Sequence, residues 1–188
     1  QKRCLVMIRF FLVIFLIIFS HQVLASDSKN IINHLQKTNN LTFNFIQSVG
    51  EKREQGKCVI KYPKKILCKY DNFNKKTIVS NGKSLVIKNN NYYIYPLEKT
   101  ALSLLLDKEY LISKLNKLKP KELDKKYLNY KILENNNEIN IFFDKKNFNL
   151  VGWQIEDIYQ NLSITFISSV RINQIISDKI FELPKKDD

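Results

Sequence analysis

Hydrophobic and polar residues alternate with a period of two along most of this chain, the pattern of half-buried β-strands. In residues 41–47, every second residue falls on one face, which carries Phe43, Phe45 and Gln47. Asn81-Gly82 lies between two such segments and is a strong hairpin signal. Further segments of this kind are separated by turn-forming residues and lie at 58–62, 66–70, 77–80, 84–88, 92–95, 127–134, 138–144, 149–157 and 160–170.

Two stretches depart from this alternation and predict helices. Asp27-Ser28 can cap a helix that ends near residues 38–40, and residues 98–118 carry leucines at helical spacing before Pro120. Many antiparallel strands with one helix at the start and a helical insertion predict a mainly β (α+β) fold, a curved sheet or open barrel covered by helices. We find no internal repeat or linker, so we predict a single domain over residues 26–188.

Residues 1–25 have the features of a secretory signal peptide. An unbroken apolar run at residues 10–19 follows Arg9, and Val23-Leu24-Ala25 is a small-residue cleavage site. The run is about half the length that a transmembrane helix needs, although an uncleaved N-terminal anchor stays open. Met7 is the only methionine and a candidate translation start. Since no cysteine follows Ala25 directly, we expect an exported, soluble protein without a lipid anchor of its own.

Cys58 and Cys68 flank a turn whose centre we place at Pro63. Residues at equal distance from that centre lie opposite each other in a hairpin, close enough for a disulfide. An oxidising compartment would favour the bond, and two buried thiols are the alternative. With His34 as the only histidine after the signal peptide, we predict no metal site.

The chain carries a net charge of +13, which raises the question of an anionic partner. Nearly all of the basic residues are lysines, which lack the planar fork of arginine, and no nucleic-acid-binding motif accompanies them. We therefore predict no nucleic-acid partner. Only four arginines occur, at Arg3, Arg9, Arg53 and Arg171.

The sequence lacks the residue sets of common enzymes. A catalytic triad would depend on His34, which we place on a solvated helix face, and Glu156-Asp157 would point to opposite faces of a strand. No glycine-rich phosphate loop is present. Trp153 is most simply a packing residue, with ligand contact as the alternative. We predict a protein that is not an enzyme and needs no cofactor, and its many aromatic residues favour an apolar cavity.

Several segments, in order, resemble conserved elements of the LolA family of periplasmic lipoprotein carriers. Phe45-Ile46-Gln47 resembles its Phe-x-Gln element, residues 55–63 resemble its strand ending in Arg-Pro, and residues 78–85 resemble its Val-Ser-Asp-Gly-Lys-x-Leu element. Residues 100–106 are similar to its mid-chain lid, and residues 180–184 to its Phe-x-aliphatic-Pro ending.

The resemblance implies an open, strongly curved antiparallel half-barrel with a helical lid over an apolar cavity. It implies a monomeric periplasmic chaperone that carries acylated lipoproteins from an inner-membrane lipoprotein-releasing ABC transporter towards the outer membrane, to a dedicated acceptor if one is present. A periplasmic lipid-sensing or lipoprotein-sensing regulatory domain on the same half-barrel is the alternative. An exported hydrolase is disfavoured by the single histidine.

Alternation, helical spacing and the position of the family elements together select the residues expected to line one cargo cavity. An ordinary filled core is the alternative to such a cavity. Where the family commonly has arginine before the hairpin proline, this chain has a tyrosine, which we expect to donate a hydrogen bond to a lid carbonyl unless it only packs at the turn. Another departure is Ala101, where many members have proline. The predicted lining residues are Leu35, Phe45, Ile60, Tyr62, Ile66, Leu85, Ile87, Leu102 and Leu105.

Overall fold

The computed structural model describes residues 27–134, 137–156 and 160–186. The predicted signal peptide at residues 1–25 lies outside these ranges. Within them, no helix is both long enough and apolar enough to cross a membrane.

Eleven antiparallel strands form one open sheet, which confirms the predicted fold class. Helix α1 covers residues 27–37 and precedes the first strand. Short 3-10 helices cover Leu97–Lys99 and Asp178–Phe181. The other elements are β1 (Asn40–Val49), β2 (Lys52–Lys61), β3 (Lys65–Tyr70), β4 (Thr77–Asn81), β5 (Ser84–Lys88), β6 (Tyr92–Pro96), α2 (Leu102–Leu106), α3 (Lys108–Leu115), β7 (Lys121–Leu123), β8 (Tyr127–Glu134), β9 (Asn137–Asp144), β10 (Leu150–Glu156) and β11 (Leu162–Ile172).

The strand order places the helices over the sheet. Two meanders, β1 to β6 and β7 to β11, join side by side because β1 pairs with β11. This order puts β6 and β7 at opposite edges, so the chain between them must travel from one edge to the other. That connection contains α2 and α3, and leucines of both helices are buried in the main core. We call the sheet face that they cover the inner face and the segment 97–118 the lid.

A smaller apolar layer lies on the outer face. Val79 and Val86 are register partners that point away from the main core and are nevertheless buried. The C-terminal 3-10 helix lies against β3 and β4 and buries Phe181. Asp178 forms ion pairs with Lys61 (2.8 Å) and Lys65 (3.2 Å), which attach the segment to the sheet.

Candidate functional site

A cavity of about 580 Å³ lies between the inner face and the lid. Strands from both meanders and the beginning of the lid form its walls, which combine apolar and polar side chains. We call the hydrogen-bonded group of Gln47, Tyr70, Ser163 and Thr165 the polar end. The lining residues are Phe45, Gln47, Cys58, Ile66, Cys68, Tyr70, Ile78, Leu85, Ile87, Lys99, Thr100, Ala101, Leu102, Trp153, Ile155, Glu156, Gln160, Ser163 and Thr165.

Five of the nine residues expected at the cavity do line it. They are contributed by three strands and the lid, so the folded chain brings together positions far apart in the sequence. These five residues are Phe45, Ile66, Leu85, Ile87 and Leu102.

The other four expected residues lie outside this cavity. Leu35, Ile60 and Leu105 are buried in the packed core, and Tyr62 is half-buried against it. At this end of the inner face, the lid contacts both the β2–β3 turn and the end of α1, through Lys64 N–H to the Leu106 carbonyl and Lys108 Nζ to the Thr38 carbonyl. Alternation identified the correct face for Ile60, but it does not show which part of a face is covered by helices.

The polar part of the cavity wall was not among the residues predicted from the sequence. Gln47 continues the inward alternation of Phe45, and that position is the one signal that pointed to it. In β11 the small polar residues Ser163 and Thr165 face inward, whereas Phe166 is 57% exposed. This arrangement reverses the usual preference of apolar side chains for the interior, so periodicity alone could not have assigned the faces of β11.

A hydrogen-bonded chain at this polar end joins side chains from three strands, β3, β1 and β11. The Tyr70 hydroxyl donates to Gln47 Oε1 at 2.8 Å, and Gln47 Nε2 donates to Ser163 Oγ at 2.9 Å and to Thr165 Oγ1 at 3.4 Å. Burial, and then the nearby Glu54 carboxylate, raise the pKa of Tyr70. The phenol therefore stays protonated at neutral pH and remains the donor to Gln47.

An ionic cluster lies next to this chain. The largely buried Glu54 carboxylate contacts Lys76 Nζ and accepts a hydrogen bond from Asn72 at 3.0 Å. Burial alone would raise the pKa of Glu54, but the hydrogen bonds and charge of its partners lower it overall. Lys76 Nζ also lies 3.8 Å from the centre of the Tyr70 ring, a cation–π contact that connects the cluster to the cavity wall.

Cys58 and Cys68 form part of the cavity wall. They are directly opposite each other in the register of β2 and β3, and their Sγ atoms are bonded. The disulfide thus connects two neighbouring strands on the face that lines the cavity.

The lid is attached to the sheet by Lys64, in the β2–β3 turn. Its backbone N–H donates to the carbonyl of Leu106 at 2.9 Å, and its Nζ lies 3.1 Å from Asp107 Oδ2. Asp107 also caps α3, because its Oδ1 accepts a hydrogen bond from the backbone N–H of Tyr110 at 3.1 Å. One carboxylate therefore serves both the lid attachment and the start of α3.

The expected hydrogen bond from Tyr62 to a lid carbonyl is not formed. The Tyr62 hydroxyl is buried and has no hydrogen-bond partner in the part of the chain that the structure describes. Burial raises its pKa. Lys64, two residues further along the same turn, makes the contact with the lid instead.

We expect Tyr62→Phe to stabilise the protein by about 1 kcal/mol. The substitution removes a buried hydroxyl that loses its bound water on folding and forms no hydrogen bond in return. Denaturant unfolding measures the change. Tyr70→Phe is the matched control and should destabilise the protein, since that hydroxyl donates to Gln47. A loss of stability in Tyr62→Phe would contradict the environment described for Tyr62.

We expect Asp107→Asn to weaken the lid attachment by about 0.5 kcal/mol, since the ion pair with Lys64 is partly exposed and asparagine is also a good N-cap. Asp107→Ala should weaken the lid attachment by about 1 kcal/mol more than Asp107→Asn, because it also removes the cap of α3. Hydrogen exchange of the lid amides measures both variants. Equal protection in the two variants would show that the cap contributes nothing.

Comparison with known proteins places this fold in a family. The model of the family described as outer membrane lipoprotein carrier protein LolA matches residues 36–184. No curated protein sequence matches the chain significantly.

Similar solved structures include the LolA superfamily protein NE2245 from Nitrosomonas europaea, at 8% identity and a TM-score of 0.47, with 85% of this chain and 97% of that chain covered. LprF from Mycobacterium bovis is 12% identical with a TM-score of 0.45, covering 81% of this chain and 94% of that chain. The family match spans most of the chain, and the chain therefore belongs to the LolA family.

Proposed function

We propose that this protein is a periplasmic carrier that holds the acyl chains of lipoproteins in the cavity under the lid and moves them from the inner to the outer membrane. The observation that carries the proposal is the cavity of about 580 Å³, walled by apolar side chains from both meanders and covered by the lid. The family match supports the choice of lipoproteins as cargo.

The physical need for such a carrier follows from the cost of exposing an acyl chain to water. At about 0.8 kcal/mol per CH₂ group, a long chain costs roughly 12 kcal/mol. A lipoprotein therefore crosses an aqueous compartment too slowly unless its chains are covered. Leu85, Ile87 and Leu102 offer such cover, and none of these contacts requires a catalytic group.

The proposal includes partners and a location. An inner-membrane lipoprotein-releasing ABC transporter would load the carrier, and an acceptor at the outer membrane would receive the cargo. Removal of residues 1–25 by signal peptidase would release a soluble monomer into the periplasm. N-terminal sequencing of the protein recovered from the periplasm tests the cleavage after Ala25.

The binding step is tested with a fluorescent fatty-acyl probe and an acylated lipoprotein as competitor. We expect the wild-type protein to bind the probe and to release it when the lipoprotein is added. Ala101→Trp fills the cavity from the lid and should weaken binding at least about tenfold. Ser113→Trp is the control, since it adds the same bulk at an exposed position of α3. Failure of the wild type to bind the probe would refute acyl binding.

The transport step is tested separately with membranes. Inner-membrane vesicles containing the transporter should release lipoprotein only when the carrier is present, and the loaded carrier should deliver it to outer-membrane vesicles. A carrier that binds lipoprotein but never delivers it would support the sensing alternative instead.

A further inference from the structure

The polar end of the cavity contains two buried hydroxyl groups with unused hydrogen atoms. Ser163 and Thr165 are only 2% and 3% exposed, and both line the cavity. Each hydroxyl oxygen accepts a hydrogen bond from Gln47 Nε2. A hydroxyl also has one hydrogen to donate, and the described residues provide no acceptor for either one. A buried donor without a partner is costly, so these two hydrogens suit a ligand that accepts them.

The neighbouring side chains fix the direction of these donors. The Tyr70 hydroxyl donates to Gln47 Oε1, so the amide oxygen faces Tyr70 and the NH₂ group faces β11. Gln47 Nε2 already occupies one side of each hydroxyl oxygen, so the hydroxyl hydrogens of Ser163 and Thr165 must point away from Gln47. Both side chains line the cavity, and it is the space into which both hydrogens can point.

We propose that Ser163 and Thr165 donate hydrogen bonds to an acyl carbonyl oxygen of the bound lipid, in an ester or an amide linkage. This inference rests on the proposed function and specifies which chemical group of the cargo the cavity recognises. The carbonyl group of an acyl chain accepts hydrogen bonds and donates none, and it is joined directly to a hydrocarbon chain. From this position the chain would run past Phe45 towards Ile66 and Leu102, where the walls are apolar.

Two charged side chains line the cavity, Lys99 in the lid and Glu156 in β10, and β10 is the strand that pairs with the strand of the two hydroxyls. The charge on the neighbouring strand therefore favours a neutral carbonyl over a free carboxylate. Glu156 lines the same part of the cavity, and its strand neighbour Ile155 is the register partner of Ser163. A fatty-acid carboxylate at the two hydroxyls would lie near this acidic side chain and would be repelled by it. Linked acyl chains, as opposed to free fatty acids, are therefore the expected ligands.

The test compares three lipids of equal chain length for displacement of an apolar fluorescent probe from the purified protein. They are a methyl ester, an N-methyl amide and a methyl thioether, of which the thioether lacks the carbonyl and has only a weakly accepting sulfur. We expect the ester, the amide or both to bind about tenfold more tightly than the thioether, because two neutral hydrogen bonds are formed. A preference for the ester alone identifies an O-linked chain as the source, and a preference for the amide alone identifies an N-linked chain.

The paired variant Ser163→Ala with Thr165→Val removes both hydroxyls and changes the volume little. It should lose the preference for carbonyl lipids and bind all three lipids with an affinity close to that of the wild type for the thioether. Thr165→Ser retains a hydroxyl and should keep the preference, and Ser168→Ala, at an exposed position of β11, is the neutral control.

Two results would overturn the inference without touching the proposed function. One is equal binding of all three lipids to the wild type, which needs no variant to fold. The other is a carbonyl preference that persists in the folded paired variant. If none of the three lipids displaces the probe, acyl binding itself fails, and the carbonyl site fails with it.

Discussion

Replacing Gly56 with alanine is expected to destabilise the protein by about 3 kcal/mol, at the upper end of the usual cost of overpacking. Gly56 lies in β2 between its register partners Phe45 in β1 and Tyr70 in β3. The two aromatic rings meet edge to face across it, with centroids 4.8 Å apart. A Cβ atom there would overlap the backbone carbonyl of Lys69 and lie 2.9 Å from both Phe45 Cε1 and Tyr70 Cα.

Backbone atoms on the neighbouring strand cannot move aside as a flexible side chain could, so β2 and β3 would have to separate locally. Urea unfolding of Gly56→Ala measures the loss of stability. Gly50→Ala is the matched control, because that glycine has a positive φ of 56° and nothing within 4 Å of an added Cβ. We expect Gly50→Ala to lower the free energy of unfolding by only about 1 kcal/mol, because alanine is strained at a positive φ. Equal losses in the two variants would contradict a steric role for Gly56.

Reduction of the bond between Cys58 and Cys68 is expected to lower the free energy of unfolding by roughly 3 kcal/mol, because the bond closes a loop of about ten residues in the unfolded chain. The protein unfolded without reductant should show no reactive thiol at either position. Two reactive thiols under these conditions would show that the bond does not form in the cell.

A variant in which both cysteines are replaced by alanine separates the bond from other effects of the reductant. Its stability should be the same with and without reductant, whereas that of the wild type should fall. Since both cysteines line the cavity, reduction should also weaken binding of the acyl probe. Stability of the wild type that does not respond to reductant would contradict the prediction.

The strands were largely predictable because alternation is a local property. The segment predicted at residues 127–134 corresponds to β8 (Tyr127–Glu134), and Gly82, in the turn after β4, has the positive φ of 99° that a tight hairpin turn requires. Strand β7 (Lys121–Leu123) was not predicted, because three residues at a sheet edge are too few to show a period. The symmetry about Pro63 likewise placed Cys58 opposite Cys68.

The candidate site was predictable only in part. Phe45 and Ile66 line the cavity as expected, but Ile60 has the same alternation and lies in the packed core. The difference depends on where α1 and the lid rest on the sheet. Those contacts join residues far apart in the chain, and a local pattern carries no information about them.

By itself, the sequence determined the mainly β fold, the helices before and within the sheet, and the family elements. Each of these features depends on neighbouring residues or on a short motif. The tertiary structure alone decided where the inner face is hollow, which residue attaches the lid and how the polar chain forms. Gln47, Tyr70 and Thr165 come from three strands and meet only because β1 pairs with β11 and β2. A site of this kind depends on strand order, and strand order here is set by the pairing of β1 with β11, two strands that lie far apart in the chain.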